Sequence, residues 1–196
     1  MTGDPIEALL QVVEALEELG IPYAIGGSVA SSVHGEPRTS ADADVLVALD
    51  MTLLGQLIAR LGAGFYVPEN AAQDAVRLRT SFNVLHLGSM YKVDLFVAGP
   101  GPLDREQLRR RTPLVIMAGG ATRPVQMTAP ENLILRKLDW YRRGGGVSDR
   151  QWRDVLGMLK VQGSRLDRDY LADLAEQAGL RALLEKALAE AGLPLV

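Results

Sequence analysis

Ile25-Gly26-Gly27-Ser28, followed after a short spacer by Asp42-Ala43-Asp44-Val45-Leu46-Val47, is the stretch that decides the reading of this chain. Side chains alternate along a strand, so Asp42 and Asp44 point to one face and cannot avoid each other. Two like charges beside Val45, Leu46 and Val47 are costly to bury, and the simplest compensation is a divalent cation held by oxygen ligands. Upstream, Gly-Gly-Ser opens a short helix predicted over Ser28 to His34, where backbone N–H groups and a hydroxyl can face a phosphate. Together they predict a nucleotide and metal site.

Composition narrows the classes around that site. A chain of 196 residues is long enough for one good core, or for a core with a smaller appendage, and 47% hydrophobic with 23% charged residues is ordinary for a globular protein. No signal-type segment or membrane-length apolar run is evident, so the expected location is cytoplasmic, without membrane partners. The absence of cysteine removes disulfides, thiol nucleophiles and cysteine-ligated zinc. His34 and His86 are isolated, so a metal should be a hard, oxygen-bound one: magnesium, or manganese in its place. A net charge of −3 argues against coating of nucleic acid but permits a local basic face. Arg136 to Arg153 supplies such a span, which solvated helix faces explain equally well.

Outward from the decisive stretch, Ile6 to Leu19 carries apolar residues at helical spacing up to Gly20. Strands are expected at Pro22 to Ile25, Ala43 to Ala48, Ala75 to Arg79, Phe82 to Leu87 and Lys92 to Val97, with the last two forming a hairpin. A second hairpin pairs Leu114–Met117 with Arg123–Met127. Helices are expected at Thr52–Leu61 and Leu103–Arg111, then in a tail at Glu131–Arg142, Asp149–Leu159, Asp167–Gln177 and Arg181–Ala191. The expected fold class is α/β (α+β): a mixed twisted sheet with flanking helices over residues 1–128, and a C-terminal helical unit over 129–196. Neither GxGxxG nor GxxxxGK[ST] occurs, which removes the two commonest phosphate loops.

Phosphoryl transfer assisted by two metals needs a third acid, and Asp94 in Lys92-Val93-Asp94-Leu95-Phe96-Val97 is the candidate, provided its strand lies beside that of Asp42 and Asp44. Gly-Gly-Ser, a spacer, Asp-x-Asp and a later strand Asp resemble the nucleotidyltransferase superfamily, whose fold is also seen in DNA polymerase beta. Arg38, Ser40, Asp42 and Asp44 match an Arg-x-Thr-x-Asp-x-Asp variant with Ser in the Thr place, while Ala41 and Ala43 are smaller than the usual branched neighbours. The tail from Pro130-Glu131-Asn132 through Lys137 to Arg153-Asp154 resembles bacterial abortive-infection toxins of the AbiEii/AbiGii type.

The resemblance implies that Gly26, Gly27 and Ser28 hold the triphosphate of an NTP. It implies that Asp42, Asp44 and Asp94 hold magnesium, with Asp94 also serving the incoming hydroxyl. It further implies that Lys137 contacts phosphate, that Asp154 completes a toxin-type site, and that a partner chain such as an antitoxin takes part. On its own helix Lys137 falls inside the apolar arc of Leu133, Ile134, Leu138, Trp140 and Tyr141, where it either snorkels to water or reaches into a cleft. Asp154 lies beside the arc of Trp152, Val155, Leu156 and Leu159, as a solvated or salt-bridged acid would. Arg38 either reaches substrate phosphate or ties down the loop before the acid pair. A helix cap accounts for His34, local bonding for His86, and a solvated helix end for Arg109-Arg110-Arg111.

The leading expectation is a nucleotidyltransferase of the EC 2.7.7 type that moves a nucleoside monophosphate from an NTP to a hydroxyl of RNA or protein. A catalytically silent binding or regulatory module of a toxin–antitoxin pair is the alternative. An enzyme modifying a small molecule such as an antibiotic is the third, and an acidic pocket would favour it.

Overall fold

The computed structural model of the chain describes residues 5–36, 42–118 and 121–194. Its centre is a mixed seven-stranded open sheet, built from β1 (Tyr23–Ile25), β2 (Asp42–Val47), β3 (Phe65–Tyr66), β4 (Ser81–His86), β5 (Tyr91–Val97), β6 (Thr112–Ala118) and β7 (Ala121–Met127). The spatial order is β3-β4-β5-β2-β1-β7-β6. β2 and β5 run parallel at the centre of the sheet, β1 is antiparallel to β2, and β4 is antiparallel to β5. This is the α/β architecture the sequence predicts.

Strict alternation on β5 explains how a charged strand sits at the centre. Tyr91, Val93, Leu95 and Val97 are buried, while Lys92, Asp94 and Phe96 point to the opposite, half-open face. The buried face packs towards α1 (Pro5–Glu18), whose Leu9, Val12, Val13 and Leu16 recur at helical spacing and are fully buried. Gly20, in the left-handed region at φ 64°, turns the chain out of that helix.

On the other face, β1 runs through Gly26 into α2 (Gly27–His34). The helix α3 (Met51–Leu61) begins at Asp50, whose carboxylate accepts the Leu53 N–H at 2.8 Å. Proline opens α5 (Pro102–Arg109) and α6 (Pro130–Arg143), the position where a missing N–H costs nothing. α6 leads the tail, followed by α7 (Asp149–Gln162), α8 (Arg168–Gln177) and α9 (Arg181–Glu190). Leu133, Leu135, Leu159, Leu174 and Leu188 of these helices belong to the same continuous apolar core as the sheet. No helix among the described residues is long and apolar enough to cross a membrane.

One predicted element takes another form, and the short strand β3 is not predicted from the sequence. Ala75 to Arg79, predicted as a strand, forms the end of α4 (Glu69–Leu78) and its C-cap. The alternation of Val76 and Leu78 with Arg77 and Arg79 imitates a strand, but Ala72, Ala75 and Val76 are the buried residues and Leu78 is 71% exposed. The spacing of the buried residues is helical, carried largely by alanines.

Candidate active site

Parallel pairing of β2 with β5 sets Asp44 opposite Asp94 and Asp42 opposite Lys92, in register. The antiparallel partner β4 extends the acid row with Asn83 opposite Asp94. Because all these positions share a parity along their strands, Asp42, Asp44 and Asp94 lie on one face of the sheet. The strand-neighbour relation that the third acid requires is therefore present.

The glycine turn is built against the same acids. The Gly26 N–H donates to the Asp44 carbonyl at 2.8 Å, and the Ser28 N–H donates to the Asp44 carboxylate. Gly27 has φ 55°, and a Cβ placed there would lie 1.6 Å from Asp44 Oδ2. Glycine is thus required twice at this position, by backbone conformation and by space. Ser28 is buried behind it.

Electrostatics mark Asp44 as the centre. Burial pushes its carboxyl above the ordinary carboxylate value, and the charges of Asp42 and Asp94 push it further. The Lys137 ammonium and the Ser28 N–H oppose that shift. Lys92 stands over the acids as well: its Nζ is 3.0 Å from Asp94 Oδ2, and this hydrogen bond, then the charges of Asp94, Asp42 and Asp44, raise its pKa. Tyr91 is pushed up to about 12, first by burial and then by Asp42 and Asp44, and stays protonated at neutral pH.

The donor set of three carboxylates on adjoining strands suits a hard divalent cation. Among the described residues no three acid or imidazole groups already close on one point. Lys92 supplies the positive charge at Asp94.

The glycine turn and Asp44 open on a cleft of about 570 Å3, a volume in the usual range for a small-molecule site. Gly26, Gly27, Ser28 and Asp44 form one side, and α6 contributes Leu133, Arg136, Lys137 and Trp140 on the other. Lys137 is almost fully buried, donating at 2.7 Å to Asp154 and at 3.3 Å to Gln151 Oε1. Of the two expectations for Lys137, the inward orientation is the one observed. Asp154 is the half-buried ion-pair partner of that lysine. Arg38 lies outside the described residues.

The basic span of the tail is mostly paired internally. Arg136 bonds Asp104, Arg142 donates to the buried Asp139 at 2.6 Å, and Arg143 forms an ion pair with the other oxygen of Asp139 at 2.9 Å. Arg143 and Arg150 nevertheless line the cleft. The arginine run at the end of α5 is used locally, Arg109 on Glu106 and Arg110 on Asp167 and over the Tyr170 ring. His34 sits 2.8 Å from the Thr128 carbonyl oxygen, clamping α2 to the chain before α6, and His86 Nδ1 bonds the Ser89 hydroxyl.

Sequence reasoning missed Lys92, Arg136 and Trp140. The signal for Lys92 was there, since it lies two residues before Asp94 and so shares its face. Arg136 and Trp140 gain meaning only from the packing of α6 across the cleft.

No family model and no curated protein matches this sequence. Solved structures do. The solution structure of the antibiotic-resistance factor ANT(2'')-Ia superposes with a TM-score of 0.56 at 16% identity, over 94% of this chain and 93% of that one. Its crystal structure with adenylyl-2''-tobramycin gives 0.57 at 16% identity, over 91% and 98%. An antigenic nucleotidyltransferase-like protein from Paracoccidioides brasiliensis gives 0.56 at 20% identity, over 97% and 93%. The chain has the nucleotidyltransferase fold.

Proposed function

We propose that the protein transfers a nucleoside monophosphate from an NTP to an acceptor hydroxyl and releases pyrophosphate. The observation that carries this reading is the contact of Gly27 with Asp44, beside an in-register Asp94, because it joins a phosphate-type turn to a row of acids whose Asp44 lines the cleft. The acceptor oxygen attacks the α-phosphorus, the bond to the bridging oxygen of the β-phosphate breaks, and the hydroxyl proton passes to Asp94. Gly26, Gly27 and Ser28 hold the triphosphate from the strand side. Lys137 approaches from α6 and stabilises the charge on the departing phosphates. Asp42, Asp44 and Asp94 are the residues that would hold magnesium, with manganese as its substitute, and such an ion would supply phosphate neutralisation and a lowered pKa of the attacking hydroxyl.

The cleft favours an anionic ligand. Arg79, Arg136, Lys137, Arg143 and Arg150 outnumber Asp44, Asp104 and Asp139 along its walls. A cationic antibiotic, the acceptor suggested by the tobramycin adduct of ANT(2'')-Ia, is less suited to that lining than an RNA end or a protein hydroxyl. The toxin-type role, with an antitoxin partner and a cytoplasmic setting, belongs to the same proposal and rests on the sequence resemblance of the tail.

The test is incubation of the purified protein with each labelled NTP, magnesium, and either total RNA or a cell lysate. Label should appear on one class of acceptor, and Asp42→Ala and Asp44→Ala should abolish it. Absence of both transfer and NTP binding in the parent protein would end the proposal.

A further inference from the structure

We infer that Leu46, Phe96 and Trp140 form a shelf that receives a nucleobase, an inference that rests on the phosphate site proposed above. Leu46 and Phe96 are register partners on β2 and β5, on the same sheet face as Asp44 and Asp94 and two residues further along each strand. Two residues of strand span about 7 Å, close to the width of one sugar. The opposite wall changes character in the same direction. Lys137 of α6 acts on Asp44, and Trp140, one turn onward, meets Phe96 edge-on at 5.4 Å between ring centroids and an interplanar angle of 86°. Over this span both walls step from a charged group to an aromatic one, Asp94 to Phe96 on β5 and Lys137 to Trp140 on α6, before Arg143 restores charge beyond the indole. A nucleotide has the same polarity, from phosphates through sugar to base.

Trp140 is 45% exposed although it lines the cleft, whereas the other tryptophan, Trp152, is packed against Tyr141 and donates its indole N–H to Glu190 at 3.0 Å. An indole left to water between Arg136 and Arg143 offers a stacking surface inside a basic wall. Stacking is tolerant of base identity and grows with ring area, so purines should bind more tightly than pyrimidines. The base can come from the NTP or from the terminal nucleotide of an RNA acceptor, since each puts a base one sugar away from the reacting phosphate.

The experiment uses Trp152→Phe, folded by circular dichroism, so that Trp140 is the sole indole reporter. It is titrated in magnesium with ATP, with UTP, with a short single-stranded RNA and with inorganic tripolyphosphate. The expected result is quenching by ATP more than by UTP, and none by tripolyphosphate, which still competes with ATP. Quenching by the RNA alone would place the acceptor's base on the shelf. In equilibrium dialysis Trp140→Ala should weaken nucleotide binding about 5- to 100-fold while leaving tripolyphosphate binding unchanged, and Trp140→Phe should restore most of the loss. Tripolyphosphate binding with no base-dependent quench would overturn the shelf and leave the transferase reading intact. No binding of tripolyphosphate or any nucleotide would overturn both.

Discussion

Gly27 and Asp44 touch so closely that not even one methyl group fits between the phosphate-type turn and the carboxylate it faces. Two costs follow for Gly27→Ala. A left-handed backbone disfavours any Cβ by about 1–2 kcal/mol, and the Asp44 side chain must swing away. For a chain of this size the backbone cost alone corresponds to a fall of about 2–8 °C in Tm. The variant should also lose NTP binding. Thermal melts of Gly27→Ala in the parent and in an Asp44→Gly background separate the two costs, because Asp44 Cβ itself lies 2.7 Å from the added methyl and only glycine removes it. Equal losses in both would show that the contact carries no energy.

Asp44 itself should make stability depend on pH. Its pKa in the folded protein is raised, chiefly by burial and then by Asp42 and Asp94, so the folded state holds the proton more tightly than the unfolded chain does. The stability linked to this group is fully present below the unfolded value and is lost as pH rises through the higher folded one. Asp44→Asn should therefore be more stable than the parent near about pH 7, and the advantage should shrink as the pH falls towards about 4. Magnesium should stabilise the parent at neutral pH and do little for the variant. Melting curves across that range check both, and an Asn variant less stable than the parent at neutral pH would contradict the argument.

Much of this site was legible because strand parity is a rigid rule. Once Asp42 and Asp44 lie on one strand and Asp94 on another, only the neighbour relation of the strands is left to find, and β2 pairing with β5 supplies it. Lys137 was visible for a similar reason, as a charge inside an apolar helical arc. The helix α4 was misread because its buried stripe includes Ala72 and Ala75, which carry little hydrophobic signal, while the exposed Leu78 carries a strong one. β3 is only two residues long, too short for any periodicity. Trp140 lay hidden in plain view: on α6 it belongs to the apolar arc by spacing, and only its packing on Phe96 of the interior strand β5 reveals that it faces a cleft.

Lys92 offers a way to read metal binding without turnover. Its ammonium lies on Asp94 and in register with Asp42, so it supplies the counter-charge that the acid row needs when no cation is bound. Lys92→Met should lower the melting temperature in the presence of a chelator, because the carboxylates then repel one another unrelieved. Added magnesium should raise the Tm of this variant by more than it raises that of the parent, where the ion must displace a charge already in place. Identical increments in the two proteins would mean that Lys92 and the ion occupy separate places.

The Lys137–Asp154 pair joins the cleft to the body of the tail, and it should behave as a coupled unit. Both side chains are nearly buried, and Nζ lies 2.7 Å from Asp154 Oδ2, so removing either partner strands a charge in a poorly solvated place. Lys137→Met and Asp154→Leu should each cost about 3–5 kcal/mol, whereas the double variant should recover most of that loss, since two apolar side chains of similar size leave no unpaired charge. Function should divide differently. The double variant, although folded, has no cation opposite Asp44 and should fail to hold tripolyphosphate. A full double-mutant cycle by denaturant unfolding measures the coupling, and competition by tripolyphosphate measures the binding. Restored stability with restored phosphate binding would show that Lys137 is a structural group alone, and additive losses would show that the pair is not a unit.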